Sequence, residues 1–296
     1  MKDNRKYNTS QLFNFASDSY LDRTSRPVYA LVFLLPFLIF YELGILFIKT
    51  DVLIDSFVWL QRFLGELGFT SRFALGAPPV AVVVILLALQ FTSKKLWAVW
   101  LPDMFPMAIE CILLAVPLIV LTLFLNTSPA PKSDFAAHEK IQQTFQTDAV
   151  VCASVKNNIE SNNCMVLSQP TPKDSLLAKI VTGMGAGIYE ELVFRLILIC
   201  VLMILFQDLI RLNHNSSIIL SILISAALFS AHHHINFLNG QINQAEVFRW
   251  TVFAFRTIAG IYFAGLFAMR GFGIAAGTHA FYDIIAVSIN AAYFEQ

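Results

Sequence analysis

Long apolar runs alternate with short polar connections along most of the chain. About seven of these runs approach or reach the roughly 20 residues that an α-helix needs to cross a bilayer. They lie near residues 28–48, 77–91, 104–125, 176–210, 216–236, 247–269 and 271–293. The pattern therefore predicts an all-α fold, a polytopic transmembrane helix bundle of about seven spans.

One stretch between the first two runs has a different pattern. Residues 55–69, within the sequence IDSFVWLQRFLGELGF, mix polar and apolar positions at helical spacing. Such a segment is typical of a helix that lies in the membrane interface or re-enters the bilayer without crossing it. We expect an interfacial helix here rather than a span.

The composition agrees with a membrane protein and excludes one class of partner. Hydrophobic residues make up 57% of the 296 residues and charged residues only 14%, whereas about 25% of an average soluble domain is charged. The mean hydropathy is +0.65. The formal net charge is zero and the chain has no basic run of the kind that binds nucleic acid. We therefore predict that the chain is embedded in a bilayer and does not bind nucleic acid.

Residues 126–173 form the one sizeable polar insert, and we expect it to be extramembrane. The whole chain, 1–296, is otherwise predicted to be a single membrane-embedded domain. The insert contains Cys152 and Cys164, which would form a disulfide in an oxidising compartment and otherwise remain free thiols. Both alternatives stay open.

Basic residues in the short connections predict the orientation. They lie before the first run, after the second run and in two later connections, and they are Lys2, Arg5, Lys6, Arg23, Arg26, Lys94, Lys95, Arg211 and Arg270. Cytoplasmic loops carry an excess of Lys and Arg. A cytoplasmic amino-terminus places all these residues inside and the polar insert outside, which favours a bacterial plasma membrane.

Three charged residues lie near the middle of run 176–210, where a charge costs about 3 kcal/mol on insertion scales. Glu191 and Arg195 are four residues apart and can form an ion pair on one helical face. Glu190 lies about 100° further round the helix and is left for another task. An ion-paired joint between helices is the alternative explanation. Gly183 and Gly187 share a face and predict a closely packed neighbouring helix.

Two further polar clusters occur in apolar surroundings. The run FSAHHHIN contains three consecutive histidines, of which at most one or two can point to a single site. The run GTHAFYDII contains His279 and Asp283, which lie four residues apart on one helical face. The simpler explanations are histidines at the membrane interface and a hydrogen-bonded clamp between helices.

A carboxylate, two histidines and an aspartate that converge in a bundle core can activate water. A glutamate can act as a general base, and a histidine can share the water or shuttle its proton. A second histidine and a carboxylic acid can donate hydrogen bonds to an oxyanion. No serine or cysteine nucleophile stands in a recognisable arrangement with these residues. Peptide hydrolysis by activated water is the predicted reaction class.

The three motifs together resemble the CAAX protease and bacteriocin-processing (Abi) family of intramembrane endopeptidases. The family pattern is Glu-Glu-x-x-x-Arg, then Phe-x-x-x-His, then His-x-x-x-Asn or Asp. In this chain the motifs are EELVFR at 190–195, FSAHH at 229–233 and HAFYD at 279–283. The resemblance covers roughly residues 176–293, the expected protease-like core.

The resemblance implies the roles of four site residues. Glu190 and His233 would activate the water, and His279 and Asp283 would form the oxyanion site. His233 is selected from the triple histidine by its spacing from Phe229 alone, so His232 or His234 could take its place. The substrate would be a peptide or protein, including a membrane-anchored one.

The resemblance leaves the need for a metal open. We prefer a mechanism without a cofactor, in which Glu191 and Arg195 hold the helix geometry. The alternative is a metalloprotease, because the family has also been described with zinc, and Glu190, His233 and His279 would then be the ligands. Glutamate and histidine are acceptable zinc ligands.

Two classes other than a protease also fit a chain rich in apolar helices. A membrane carrier uses buried Glu, His and Arg residues, but most carriers contain two repeated halves, and no repeat is visible here. A non-catalytic membrane scaffold would tolerate replacement of Glu190. The motifs favour the protease.

Overall fold

The structure is a computed structural model of the chain. It describes residues 15–16, 18–48, 55–66, 76–127, 176–233, 235–238, 241–244 and 249–293. The polar insert predicted at 126–173 lies outside the described residues except for its first two positions, and so do Cys152, Cys164 and His234.

The described residues are almost entirely helical. The α-helices are α1 (Tyr20–Thr24), α2 (Pro27–Ile48), α3 (Asp55–Glu66), α4 (Ala77–Ser93), α5 (Met104–Thr127), α6 (Leu176–Glu191), α7 (Ile199–Met203), α8 (His214–His232), α9 (Trp250–Arg270) and α10 (Phe272–Tyr293). A 3₁₀ turn at Leu101–Asp103 precedes α5. Two π-helical segments, Leu192–Leu198 and Ile204–Leu209, flank α7 and join it to α6 in one long rod.

Six helices among the described residues are long and apolar enough to cross a membrane. They are Pro27–Ile48, Leu101–Leu125, Leu176–Leu209, His214–His232, Trp250–Arg270 and Phe272–Tyr293. The remaining predicted run, near 77–91, forms the shorter apolar helix Ala77–Ser93. The predicted polytopic helix bundle is therefore confirmed, and the chain is an integral membrane protein.

The segment predicted as an interfacial helix is helical. Helix α3 spans Asp55–Glu66 and ends three residues before the predicted boundary at 69. The Phe57 side chain is buried and meets the rings of Tyr41 and Tyr189, whereas Phe63 is exposed. One face of α3 thus packs on α2 and α6, and the opposite face is left to the surroundings.

The centre of the bundle is the antiparallel pair α6 and α10, which share the largest interface between helices. Helix α2 packs on both α6 and α10, α5 packs on α10, and α9 packs on both α10 and α8. Small residues allow these close crossings. A Cβ atom at Gly273 would lie 2.8 Å from Ala30 Cα, and one at Gly277 would lie 2.6 Å from the Phe33 ring.

A β-hairpin follows α8 and was not predicted. Strand β1 (Ile235–Leu238) pairs antiparallel with β2 (Gln241–Gln244), so the predicted span 216–236 ends at His232 instead. The signal was present in the sequence, because Asn239-Gly240 is the dipeptide most typical of a two-residue hairpin loop. The apolar residues around it masked that signal when length and hydropathy alone were considered.

Charged side chains tie together one end of the bundle. Arg270 at the end of α9 donates from Nε to Oε1 of Glu110 at 2.6 Å and from a terminal nitrogen to Oε2 at 2.8 Å. Arg23 pairs with Asp103 at 2.9 Å, and Arg26 pairs with Asp22 at 2.8 Å. Arg23, Arg26 and Arg270, three of the basic residues used for the orientation prediction, therefore lie at the same end of the bundle.

Candidate active site

The three charged residues of the first motif are buried inside the bundle. Glu190 and Glu191 are the last residues of α6, and Arg195 lies in the π-helical segment that follows. Glu191 and Arg195 have no exposed surface, and Glu190 is 3% exposed. Nε of Arg195 lies 3.1 Å from Oε2 of Glu191, so the ion pair predicted from the spacing is present.

Aromatic rings complete the surroundings of Arg195. Its guanidinium carbon lies 4.2 Å from the centre of the Phe229 ring and 5.8 Å from that of Phe263. No nitrogen of this guanidinium finds a hydrogen-bond partner of good geometry among the described residues. Charge attraction to Glu191 and the ring faces therefore hold the arginine in the apolar interior.

His279 on α10 meets all three carboxylates of the site. Its Nδ1 atom donates to Oε1 of Glu191 at 2.8 Å, since an ionised carboxylate only accepts. Its Nε2 atom lies 3.5 Å from Oδ2 of Asp283 and 3.9 Å from Oε2 of Glu190. The ring stacks on Phe263 with 4.4 Å between centres. The imidazole is thus held from both ends and on one face.

Two glycines explain how α10 comes so close to α6. A Cβ atom at Gly187 would lie 2.6 Å from Ala280 Cα, and one at Gly183 would lie 2.7 Å from Asp283 Cβ. Neither distance is tolerated by real side chains. The close approach predicted from the spacing of these glycines is therefore confirmed, and the helix that approaches carries His279 and Asp283.

Two histidines at the end of α8 reach the same glutamate. Glu190, His232 and His233 each offer one ligand atom, and these atoms lie within 4.8 Å of one another. Nδ1 of His232 lies 3.2 Å from the carbonyl oxygen of Phe229, which can only accept, so Nδ1 carries the proton. The Nε2 atom of neutral His232 is then unprotonated.

The donor set of this histidine cluster is compatible with a metal. Two histidines and one glutamate are a ligand set known from catalytic zinc sites, and the carbonyl contact of His232 leaves Nε2 as its ligand atom. The predicted alternative set contained His279 in place of His232. Among the described residues, His232 is the one grouped with Glu190 and His233.

Residue counting along the predicted runs places His233 near one membrane face and His279 near the other, but the structure brings both to the same region. The length of chain from His214 to His232 in α8 is nearly the same as that from Leu209 back to Glu190 in the preceding span. The ring of Phe229 in α8 lies 6.2 Å from that of His279. The three motifs therefore surround one region.

Two intramembrane charges received no role from the sequence. Arg256 in α9 is buried and lies seven residues before Phe263, hence on the same helical face. Glu42 in α2 accepts a hydrogen bond from the Tyr189 hydroxyl at 3.1 Å. The rule that singled out Glu190, a charge within an apolar span, applies to both.

Comparison with known proteins agrees with the motifs. Residues 172–285 match the family model described as Rce1-like, type II CAAX prenyl endopeptidase. The matched segment contains all three motifs and confirms the resemblance to the CAAX protease family over this part of the chain. No curated protein and no solved structure was found to match.

Proposed function

We propose that this membrane protein, whose residues 172–285 match the CAAX prenyl endopeptidase family, is an intramembrane endopeptidase that uses activated water. One observation supports this most directly. Glu190 is buried and lies close both to His279 and to the pair His232 and His233. A carboxylate and imidazoles around one small space are the groups that water activation needs.

The two adjacent glutamates have different surroundings, and this assigns the base. Glu191 is engaged by Arg195 at 3.1 Å and by His279 at 2.8 Å. One oxygen therefore pairs with Arg195 in the same helical rod, and the other joins α6 to α10 through His279. Glu190 faces the histidines of α8 instead. We assign Glu190 as the general base, and Glu191 with Arg195 as positioning residues.

The proposed reaction needs only water and the peptide. Glu190 takes a proton from the water while the water oxygen attacks the carbonyl carbon of the peptide bond. His233 orients this water through a hydrogen bond. Glu190 then returns the proton to the amide nitrogen as the C–N bond breaks. The products are a new carboxyl group and a new amine, so atoms and charges balance.

His279 and Asp283 supply the donors for the oxyanion of the tetrahedral intermediate. Because Nδ1–H of His279 is donated to Glu191, Nε2 is the atom that remains for the site, and it lies 3.5 Å from Asp283. Donation requires the imidazolium form of His279 and the protonated form of Asp283. Preorganised donors of this kind are commonly the largest single contribution to catalysis.

The alternative is a zinc-dependent form of the same protease. The sequence suggested Glu190, His233 and His279 as ligands, and the spacing in the structure favours Glu190, His232 and His233. A bound zinc ion would supply Lewis acidity and lower the pKa of a water in this place. The preferred form requires no cofactor.

The substrate, the location and the domain arrangement are also part of this proposal. We propose a peptide or protein substrate, including a membrane-anchored one, and a bacterial plasma membrane with the amino-terminus in the cytoplasm. The shared end of Arg23, Arg26 and Arg270 supports one sidedness for these basic residues. The protease-like core is 176–293 within a single domain, and 126–173 is an extramembrane insert.

Cleavage of a quenched fluorescent peptide library by the purified protein in detergent and in lipid tests this proposal. Wild type, Glu190→Gln and His233→Ala are compared with and without a zinc chelator. Glu66→Gln is the matched control, because Glu66 is exposed on α3. We expect cleavage by wild type and by the control, with loss in the two site variants and no effect of chelation.

Other outcomes separate the alternatives. Loss of activity on chelation that zinc restores would indicate that the same residues are metal ligands. Undiminished cleavage by Glu190→Gln would refute the assigned base. An absence of cleavage for every peptide, in both detergent and lipid, would favour a carrier or scaffold.

A further inference from the structure

The β-hairpin begins beside the histidine cluster. Helix α8 ends at His232, and β1 starts at Ile235, two residues after His233. Strand β1 therefore starts close to the end of α8. Ile235 is paired with Gln244 and Leu238 with Gln241. The open end of the hairpin, at Ile235, is therefore the end next to the histidines, and the loop is at the opposite end.

This hairpin has two strands only, as far as the described residues extend. An isolated two-stranded hairpin is marginally stable in water, and a third strand or a packing partner is usually required. Each strand also has one outer edge whose backbone N–H and C=O groups have no partner within the sheet. The element is therefore suited to receive another extended segment.

The register identifies the backbone groups on these edges. Opposite residues of an antiparallel pair alternate between hydrogen-bonded and non-hydrogen-bonded positions. In a hairpin with a two-residue loop, the pair next to the loop, Leu238 and Gln241 here, is hydrogen-bonded. Ile235 and Phe237 then direct their backbone groups to the outer edge of β1, and Ile242 and Gln244 direct theirs to the outer edge of β2.

We propose that the outer edge of β1 binds the peptide substrate as an added, extended strand. This inference rests on the proposed protease function. The occupant is the stretch of substrate next to its scissile bond. The edge of β1 is favoured over that of β2, because β1 begins two residues after His233, at the end of the helix that contains His232.

The chemistry of peptide hydrolysis in a membrane calls for such an edge. A helical substrate cannot be cleaved readily, since its carbonyl groups are bonded along the helix and enclosed by side chains. Once unwound, its backbone groups need partners, because each unsatisfied group costs several kcal/mol in an apolar environment. Strand addition supplies them through main-chain bonds and holds the peptide extended toward Glu190.

Proline substitution at the edge tests the proposal. Phe237→Pro removes one outward N–H, a position at which proline is tolerated in a strand. Phe237→Ala keeps that N–H and controls for the loss of the side chain. Ile242→Pro removes the equivalent group from the edge of β2. We expect Phe237→Pro to raise KM for the best library peptide by about tenfold, with kcat less affected, and both controls to remain within about twofold of wild type.

A second measurement uses unchanged wild-type protein and does not depend on folding of a variant. Peptides derived from the best substrate carry one backbone N-methyl group, moved one residue at a time. We expect KM to rise at every second residue on one side of the scissile bond, because only alternate residues bond to a strand edge.

The outcomes distinguish this inference from the function on which it rests. Strand addition is overturned if KM does not depend on the methylated position and is equal for Phe237→Pro and Phe237→Ala. The proposed protease function would still stand. A rise in KM for Ile242→Pro alone assigns the substrate to the other edge and also overturns the proposal. Failure of wild type to cleave any peptide removes the protease and this inference together.

Discussion

The Nδ1 atom of His279 lies 2.8 Å from Oε1 of Glu191 and joins the two central helices of the bundle. The other oxygen of Glu191 lies 3.1 Å from Arg195. The carboxylate that bridges α6 and α10 is therefore not the one that faces the histidines of α8. Two adjacent glutamates can divide support and catalysis between them, because neighbouring residues on a helix point in directions about 100° apart.

This division predicts different consequences for the two glutamates. We expect Glu190→Gln to lower the rate of peptide cleavage by about a hundredfold or more with little change in the unfolding temperature. Glu191→Gln should lower both, because it weakens the contacts to Arg195 and His279. Parallel measurements of cleavage and thermal unfolding in the same detergent check this. Equal loss of stability in both variants would contradict the assignment.

The buried Arg195 predicts a large loss of stability when it is removed alone. We expect Arg195→Met to lower the free energy of unfolding by about 3–5 kcal/mol, because the buried carboxylate of Glu191 would lose its guanidinium partner. Adding Glu191→Gln should recover part of this loss. Reversible unfolding in mixed detergent micelles measures both effects. Arg62→Met, on the exposed surface of α3, is the control and should change little.

The contact between α6 and α10 predicts opposite effects for two glycines. A Cβ atom at Gly187 meets the backbone of Ala280, whereas one at Gly265 in α9 has nothing within 4 Å. We expect Gly187→Ala to destabilise the protein by about 1–3 kcal/mol and to reduce cleavage by displacing His279. Gly265→Ala should be neutral or stabilising, since alanine favours the helix. Thermal unfolding distinguishes them, and similar losses in both variants would contradict the packing argument.

Metal binding can be tested apart from activity. We expect chelated wild-type protein to retain cleavage. If zinc does bind, the spacing of the ligand atoms predicts that His232→Ala and His233→Ala each abolish stoichiometric binding, whereas His279→Ala leaves it. Equilibrium dialysis followed by elemental analysis measures this. Loss of zinc in His279→Ala with retention in His232→Ala would instead support the ligand set suggested by the sequence.

The charged end of the bundle predicts an acid-sensitive contribution to stability. Burial acts to raise the pKa of Asp22, but hydrogen bonds from Arg26 and from the Asp18 backbone, with the Lys95 charge nearby, bring this pKa below its usual value. A carboxyl with a lowered folded pKa stabilises the protein above its unfolded pKa, about 3.9. That stabilisation is lost as the pH falls through the folded pKa.

Unfolding temperatures measured between pH 7 and pH 3 check this expectation. Wild type should lose stability below about pH 4, and Asp22→Asn should start lower and lose less over the same range. Parallel curves for the two proteins would show that Asp22 does not carry this dependence.

Local patterns in the sequence were sufficient for the helix bundle and for the pairing of its charges. The length of an apolar run predicts a span because a helix satisfies all backbone hydrogen-bonding groups within one segment in the bilayer. Spacing of four residues predicts the contacts of Glu191 with Arg195 and of His279 with Asp283, because both pairs lie on one helix. The hairpin after α8 was also encoded locally, in Asn239-Gly240, and was missed because apolar length was given priority.

Only the tertiary structure decided which helices meet and at what depth. The sequence alone did not indicate which groups the three consecutive histidines contact. Packing brought His232 and His233 to Glu190, and His279 bridged Glu191 and Asp283. Residue counting failed here because it assumes straight helices that start at the membrane faces. The close contact between Gly187 and Ala280 fixes how α6 and α10 lie against each other, and it joins residues far apart in the chain.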